Sequence, residues 1–275
     1  MRTTPLDPLL DAEPQELDLV EACLAIGELD DPPPDKPRIR DYLLLSAEAI
    51  NDRLPAVADI EVRLETLRTW MYGDQGFRGN TVAYYEPANS LLHRVIARRK
   101  GIPISLAIIL IEVGRRIGLP LTGIAFPAHF LVACQLPTGD LLLDPFQRAR
   151  ALGPDELHQR LGATLGRTPS TAQLSASLVP ANNRAIAARV LRNLKTAYAR
   201  GRAWERVAAV LDILIKLQGH PWDIRDRARA WDRLECLRAA LADYERYLEL
   251  APTAPDAGEV RRRIAVLKPR TQTLQ

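Results

Sequence analysis

The sequence predicts an α+β domain, with a central buried helix and a small antiparallel sheet, followed by an all-α domain. Nearly every position between Pro103 and Gly118 is apolar, which is typical of a helix that is buried on most of its faces. Short apolar segments follow over 121–143, as expected for brief strands. From Asn182 onward, every predicted element is a helix.

Three further helices are predicted ahead of the central one. Apolar residues recur at helical spacing over 15–29, 39–53 and 56–71. The proline-rich stretch 30–37 ends the first of these helices, because proline lacks a backbone donor and restricts the residue before it. A glycine-containing loop over 73–79 and a short helix over 89–100 complete this part of the chain.

The ends of the central helix carry recognisable signals. Pro103 suits the first helical turn, where a missing N–H costs nothing, and Gly118 followed by Pro120 suits the end. Arg115 and Arg116 fall in the last turn, where positive charge is favourable for the helix dipole. The sequence therefore places the start of this helix at or next to Pro103.

Strands are predicted over 121–126, 130–136 and 141–143, with a turn at 137–140 between the last two. The polar, small residues that come next predict a linker over 166–181. We therefore expect a first domain over 1–165 and a second, helical domain over 182–275.

The helical domain contains a weak internal repeat. Residues 208–221 resemble 239–252 at an offset of 31, and both segments end in proline. Paired helices repeated at an interval near 34 predict tetratricopeptide-like repeats, here two units and a capping helix over 257–267. A plain helical bundle is the alternative. Repeats would offer a concave surface to a protein or peptide partner through residues 182–268.

Composition and charge exclude several classes of function. The net charge of +3 comes from 37 basic and 34 acidic side chains, an imbalance too small to predict a nucleic-acid partner. The longest apolar run, 106–111, is too short to span a membrane. Three widely separated cysteines and no signal-like start indicate the cytoplasm, with no metal and no cofactor expected.

Two residues could carry chemistry near the central helix. His129 lies on one predicted strand and Asp144 at the end of the next. Thiol proteases and transglutaminases combine a His and an Asp in this way with a Cys at a helix N-terminus, where the dipole lowers the pKa of the thiol. No Cys stands at the start of this helix.

Several motifs resemble those of bacterial SirB-type proteins, which combine a transglutaminase-like domain with C-terminal tetratricopeptide repeats. They are Asn-Ser-Leu-Leu at 89–92, Gly-Ile-Pro-Ile-Ser-Leu-Ala at 101–107, Arg-Arg-Ile-Gly-Leu-Pro at 115–120, Phe-Pro-Ala-His-Phe-Leu-Val at 126–132 and Leu-Asp-Pro-Phe at 143–146. The resemblance covers about residues 10–265 and implies a papain-like α+β core. It implies no established reaction.

The wider transglutaminase pattern is Gly-x-Cys-x-x-x-Ala, followed by His and Asp-Pro. Comparison with it shows which position of this chain differs from the pattern. Gly101 and Ala107 match, as do His129 and Asp144, but the nucleophilic Cys falls on Pro103. The resemblance therefore implies a pseudoenzyme, in which His129 and Asp144 remain as a dyad without its nucleophile.

Ser105 is the remaining candidate nucleophile, two positions further along. Two residues turn it about 200° around the helix, so we favour a first-turn Ser that bonds to local backbone. Cys134 is interpreted as a small buried hydrophobe, and Cys23 and Cys236 as packing residues. His129 is either held by Asp144 or a carbonyl, or has a binding role, and both interpretations stay open.

The sequence thus predicts a non-catalytic, cytoplasmic protein that binds a protein or peptide through its helical repeats. The alternative is a hydrolase, such as an amidase or peptidase, that uses His129 and Asp144 with water or Ser105. A third hypothesis is a regulatory module that binds a small ligand or peptide in the remaining cleft.

Overall fold

The structure is a computed structural model that describes residues 17–272. Residues 1–16, where the predicted first domain and first helix begin, and 273–275 lie outside the described residues. The chain divides into two compact units, with the boundary between Val190 and Leu191. Among the described residues, no helix is both long and apolar enough to cross a membrane.

The first unit contains seven helices and the start of an eighth within its described residues. They are α1 (Leu19–Gly27), α2 (Lys36–Asn51), α3 (Ile60–Arg68), α4 (Leu92–Arg98), α5 (Pro103–Arg116), α6 (Pro154–Leu165), α7 (Thr171–Ala176) and α8 (Asn183–Arg200). A wide helical turn over Thr69–Asp74 extends α3, and short 3-10 turns lie at Pro87–Asn89 and Pro145–Gln147.

The first three helices begin where an aspartate caps them. The carboxylates of Asp18, Asp35 and Asp59 each accept a hydrogen bond from the backbone N–H three residues later, at 2.9, 3.2 and 2.8 Å. Such caps satisfy backbone donors that a helix start leaves unpaired. Hence α1, α2 and α3 start at 19, 36 and 60, where apolar spacing alone predicted 15, 39 and 56.

A four-stranded antiparallel sheet lies in the order β3-β4-β5-β6. Its strands are β3 (Leu121–Ile124), β4 (Leu131–Leu136), β5 (Gly139–Asp144) and β6 (Arg150–Ala151). Val132 pairs with Leu143, and Leu121 with Cys134. The pairs β5–β6 and the parallel β1 (Arg78–Gly79) with β2 (Lys100–Gly101) were not predicted, since two-residue strands leave no alternating pattern to read.

Helix α5 is the centre of this unit. Every side chain from Pro103 to Val113 is buried, and the helix packs against α2, β3 and β4. A Cβ at Gly114 would overlap the side chain of Leu121, so the glycine permits the close approach of α5 to the sheet. The predicted buried central helix is therefore present, and it positions the candidate site at its N-terminus.

The predicted linker segment, 166–181, contains α7. Leu174 on this helix packs in one apolar cluster with Leu157 and Leu161 of α6. The assignment of 166–181 as a linker between two domains stays a prediction.

The second unit consists of helices that recur at a fixed interval. After the end of α8 come α9 (Trp204–Gln218), α10 (Pro221–Arg233), α11 (Leu237–Leu250) and α12 (Ala257–Gln272). The starts of α9 and α11 are 33 residues apart (237 − 204 = 33). Left-handed residues precede both at the same interval, Arg202 and Glu235. This agrees with two helical repeats and a final helix.

Candidate functional site

The N-terminus of α5 is where the sequence pattern calls for a nucleophile. Pro103 is the first helical residue and is buried, and Ile102 precedes it with extended backbone. Proline offers neither a thiol nor a hydroxyl and cannot titrate. This position therefore has no group that could attack a substrate.

Ser105 is fully engaged with backbone groups. Its Oγ accepts a hydrogen bond from the N–H of Ile102 at 3.0 Å and donates to the carbonyl of Asn89 at 2.6 Å. A hydroxyl has one proton, so the short contact to Asn89 occupies it. A Cβ at Gly101 would lie 2.6 Å from this Oγ, which explains the glycine two residues before Pro103.

Asp144 is fully buried, and both of its oxygens have partners. Oδ1 accepts the backbone N–H groups of Phe146 and Gln147, at 2.9 and 3.3 Å, and so caps the 3-10 turn. Oδ2 accepts a hydrogen bond from Arg160 at 2.7 Å. Arg160 also contacts Glu156, one helical turn earlier, at 2.8 Å. Asp144 therefore fixes a turn and a helix.

The prediction that His129 lies on a strand is wrong: it lies in the connection between β3 and β4, where the left-handed backbone of Ala128 interrupts the extended chain. His129 is half-buried. Its Nδ1 is buried and has no hydrogen-bond partner among the described residues. Burial lowers the pKa of His129; Asp144 opposes this shift, whereas Arg160 and Arg189 add to it. The structure places His129 within the electrostatic reach of Asp144 but does not join them by a hydrogen bond. Their role as a catalytic dyad stays a prediction.

An aromatic rim lies beside Asp144. The ring of Phe146 occupies the space that a side chain at Gly79 would need. Tyr84 meets this ring edge-on, with 6.1 Å between centroids. The loop that carries Tyr84 is fixed by Asn89, whose Nδ2 donates to the carbonyls of Ala83 and Tyr84 at 2.7 and 3.1 Å.

The sequence reasoning did not single out two arginines that complete this region. Arg160 had a sequence signal, because Glu156 stands four residues before it on the same helix. Arg189 on α8 had none. It is half-buried, and it makes no hydrogen bond or ion pair with any residue of the described chain.

The three cysteines are unpaired, and two of them are buried. Cys23 and Cys134 are buried, and burial raises the pKa of both thiols. Cys236 is exposed and lies just before α11, in the second unit. Across 17–272, no group of three or more His, Cys, Asp or Glu side chains could hold a metal ion.

The helical unit has a groove of its own, with a volume of about 800 Å³. The guanidinium of Arg233 lies 5.8 Å from the ring centroid of Trp204, and Arg263 pairs with Asp232 through two contacts of 2.6 and 2.5 Å. Arg262 also lines this groove, and its side chain is exposed. The groove thus combines an aromatic face with arginines.

Two family models match this chain in succession. One, described as "Transglutaminase-like superfamily", covers residues 38–192, and another, "Tetratricopeptide repeat", covers 194–265. A UPF0162 protein of Xylella fastidiosa is 36% identical over 92% of this chain and 91% of its own length. The UPF0162 protein YchA of Escherichia coli is 28% identical over 80% of both chains. Protein SirB1 of Salmonella typhimurium is 27% identical over 78% of this chain and 82% of its own.

Proposed function

Because this chain belongs to the transglutaminase-like superfamily, as a SirB-type protein with C-terminal tetratricopeptide repeats, we propose that it is a non-catalytic protein-interaction module. In this proposal its helical repeats bind a protein or peptide partner, and the transglutaminase-like domain no longer performs acyl transfer. Its three unpaired cysteines are in keeping with a reducing cytoplasm.

The observation that carries this proposal is Pro103. Acyl transfer through a covalent intermediate needs a nucleophile that an adjacent base activates. Pro103 supplies none at the helix start, and the hydroxyl of Ser105 is committed to the carbonyl of Asn89. The buried thiols have raised pKa values, which leave very little of the reactive thiolate at neutral pH.

The geometry gives little support to a hydrolase that activates water with His129. A general base of this kind is oriented by a third polar group on its other ring nitrogen. The oxygens of Asp144 are occupied by two backbone amides and by Arg160, and the buried Nδ1 of His129 has no partner in the described structure.

The groove in the helical unit is the surface that supports partner binding. Arginine and tryptophan are the side chains that most often dominate the binding energy of protein interfaces. Trp204 and Arg233 stack within the groove, and Arg262 lies exposed on its wall. Removal of these three side chains should therefore weaken the binding of a partner most.

The decisive experiment compares two charge-reversed variants of the full-length chain. Partners are captured by chemical cross-linking in cells, identified by mass spectrometry, and then measured with purified components. We expect the double variant Arg233→Glu with Arg262→Glu to bind a purified partner at least tenfold more weakly, about 1.4 kcal/mol.

Arg246→Glu provides the matched control, because Arg246 is exposed on α11 outside the groove. It should retain the partner. Equal binding by the double variant and the control would count against the repeats as the interaction surface.

A further inference from the structure

The groove of the helical unit has apolar residues at its base and charged residues on its walls. It encloses about 800 Å³, which is within the range of clefts that hold a small ligand. Ala230 and Val260 are buried in its lining, whereas Val266 is half exposed, at 50%. An exposed valine beside two buried apolar residues offers a contact for one apolar side chain of a partner. The charges on the walls then determine which kind of chain can bind.

Most of the carboxylates in this lining are neutralised by a cation. The ion pairs are Arg263–Asp232, Arg229–Glu259 and Lys195–Asp226, with N–O distances of 2.5, 3.7 and 2.9 Å. Three of the four carboxylates that line the groove therefore have a cationic partner. Glu235, the fourth, is exposed in the turn before α11 and makes no ion pair with the described part of the chain.

Two arginines of the same lining, Arg233 and Arg262, have no carboxylate partner. Both are exposed, and neither makes a hydrogen bond or an ion pair with any residue of 17–272. The double contact between Asp232 and Arg263 joins α10 to α12, and the two arginines are the sequence neighbours of these joined residues. Their two positive charges exceed the single negative charge of Glu235, so a negatively charged ligand complements the groove.

Trp204 orients one of these arginines. The guanidinium of Arg233 lies 5.8 Å from the ring centroid of Trp204, within the range of a cation–π contact. Such a contact uses the flat face of the guanidinium and leaves the N–H donors on its edge free. Trp204 therefore holds Arg233 in place for a carboxylate, which arginine binds through two parallel charge-assisted hydrogen bonds.

We propose that this groove binds an acidic segment of a partner protein, in which two aspartate or glutamate side chains flank an apolar one. The two carboxylates pair with Arg233 and Arg262, and the apolar side chain contacts Val266. Two arginines match two negative charges, which is more than the carboxylate of a chain terminus supplies. This inference rests on the proposed function, since it names the chemistry of the partner that the repeats bind.

The probes are acetylated and amidated peptides with the centres Glu-Leu-Glu, Gln-Leu-Gln and Glu-Ser-Glu. The full chain has four tryptophans, so the indole N–H groups of ¹⁵N-labelled protein give few NMR signals, and Trp204→Phe identifies the signal of Trp204. We expect the Glu-Leu-Glu peptide to shift that signal in a saturable way and to leave the signal of Trp222, which is outside the lining, unchanged. The Gln-Leu-Gln peptide should bind at least about tenfold more weakly, and Glu-Ser-Glu about threefold more weakly.

Charge variants of the full-length chain test the two arginines. Arg233→Gln and Arg262→Gln should each weaken binding of the Glu-Leu-Glu peptide about threefold, and the double variant about tenfold, since each removes one exposed ion pair. Glu235→Gln removes the opposing carboxylate and should strengthen binding about twofold. Arg246→Gln is the matched control, because Arg246 is exposed on α11 outside the lining, and it should bind as the wild type does.

The proposal is overturned by the absence of a saturable shift of the Trp204 signal, by equal binding of the glutamine peptide, or by unchanged binding in the double variant. Because the three peptides are compared on the unaltered protein, the proposal is tested even where a variant fails to fold. A captured partner that needs Arg233 and Arg262 but binds through a segment without acidic residues would refute this inference and leave the proposed function standing.

Discussion

The buried contact of Asp144 with Arg160 yields the sharpest prediction about stability. Asp144→Asn keeps a side-chain oxygen that can accept the backbone N–H groups of Phe146 and Gln147, but it replaces the charged partner of Arg160. Breaking a buried ion pair costs about 3–5 kcal/mol. In this variant Arg160 keeps its contacts with Glu156. The free energy of unfolding should therefore fall by the contribution of one charge-assisted hydrogen bond, about 2 kcal/mol.

Asp144→Ala removes the turn cap as well and should cost about 1 kcal/mol more. The assay is urea unfolding followed by circular dichroism. With a slope of about 2 kcal/mol/M, Asp144→Asn should lower the midpoint by about 1 M. Asp140→Asn, an exposed change in the same hairpin, is the control and should stay within about 0.5 kcal/mol of the wild type.

A midpoint for Asp144→Asn that equals the wild-type value would show that Asp144 does not hold the turn and α6 together. A double-mutant cycle with Arg160→Gln isolates the pair. We expect a coupling free energy of at least about 1 kcal/mol, since residues in direct contact do not act additively.

Three further outcomes follow from the site. Ser105→Ala should destabilise the fold by about 1–2 kcal/mol in the same urea assay, since the N–H of Ile102 loses its buried acceptor; an unchanged midpoint would contradict the hydrogen bonds assigned to it. Burial lowers the pKa of His129, so the unfolded chain takes up a proton at higher pH, and the free energy of unfolding should fall as the pH drops through about 6.5. His129→Gln should reduce that fall, and an equal pH dependence in the variant would argue against the shifted pKa. A thiol reagent should label Cys236 alone in the folded protein and all three cysteines after denaturation; fast labelling of two or three thiols in the folded state would disagree with the burial of the others.

Much of the fold was predictable from periodicity and from helix-end signals. The apolar run after Pro103 predicted the buried α5, and the α+β fold class and the SirB-type resemblance are confirmed by the structure and by the family matches. The predicted helix starts were less accurate, because apolar spacing does not show which aspartate caps a helix. The structure identifies Asp35 and Asp59 as caps, since each accepts a hydrogen bond from a backbone N–H.

The site was harder to predict, because it depends on contacts between residues far apart in the chain. The sequence indicated Pro103, His129 and Asp144 as site residues. It could not show that Arg160 donates a hydrogen bond to the carboxylate of Asp144. Arg189 lies 60 residues after His129 (189 − 129 = 60) on a helix with many arginines. Only the folded structure shows that Arg189, rather than another arginine of this helix, lowers the pKa of His129.

In the proposed function, this transglutaminase-like domain has no working nucleophile. The most direct measurement is the turnover of amide and peptide substrates by the purified full-length chain, compared with His129→Ala. We predict no turnover that depends on His129, because Pro103 cannot attack and the hydroxyl of Ser105 is committed to the backbone. Turnover that His129→Ala abolishes would contradict it.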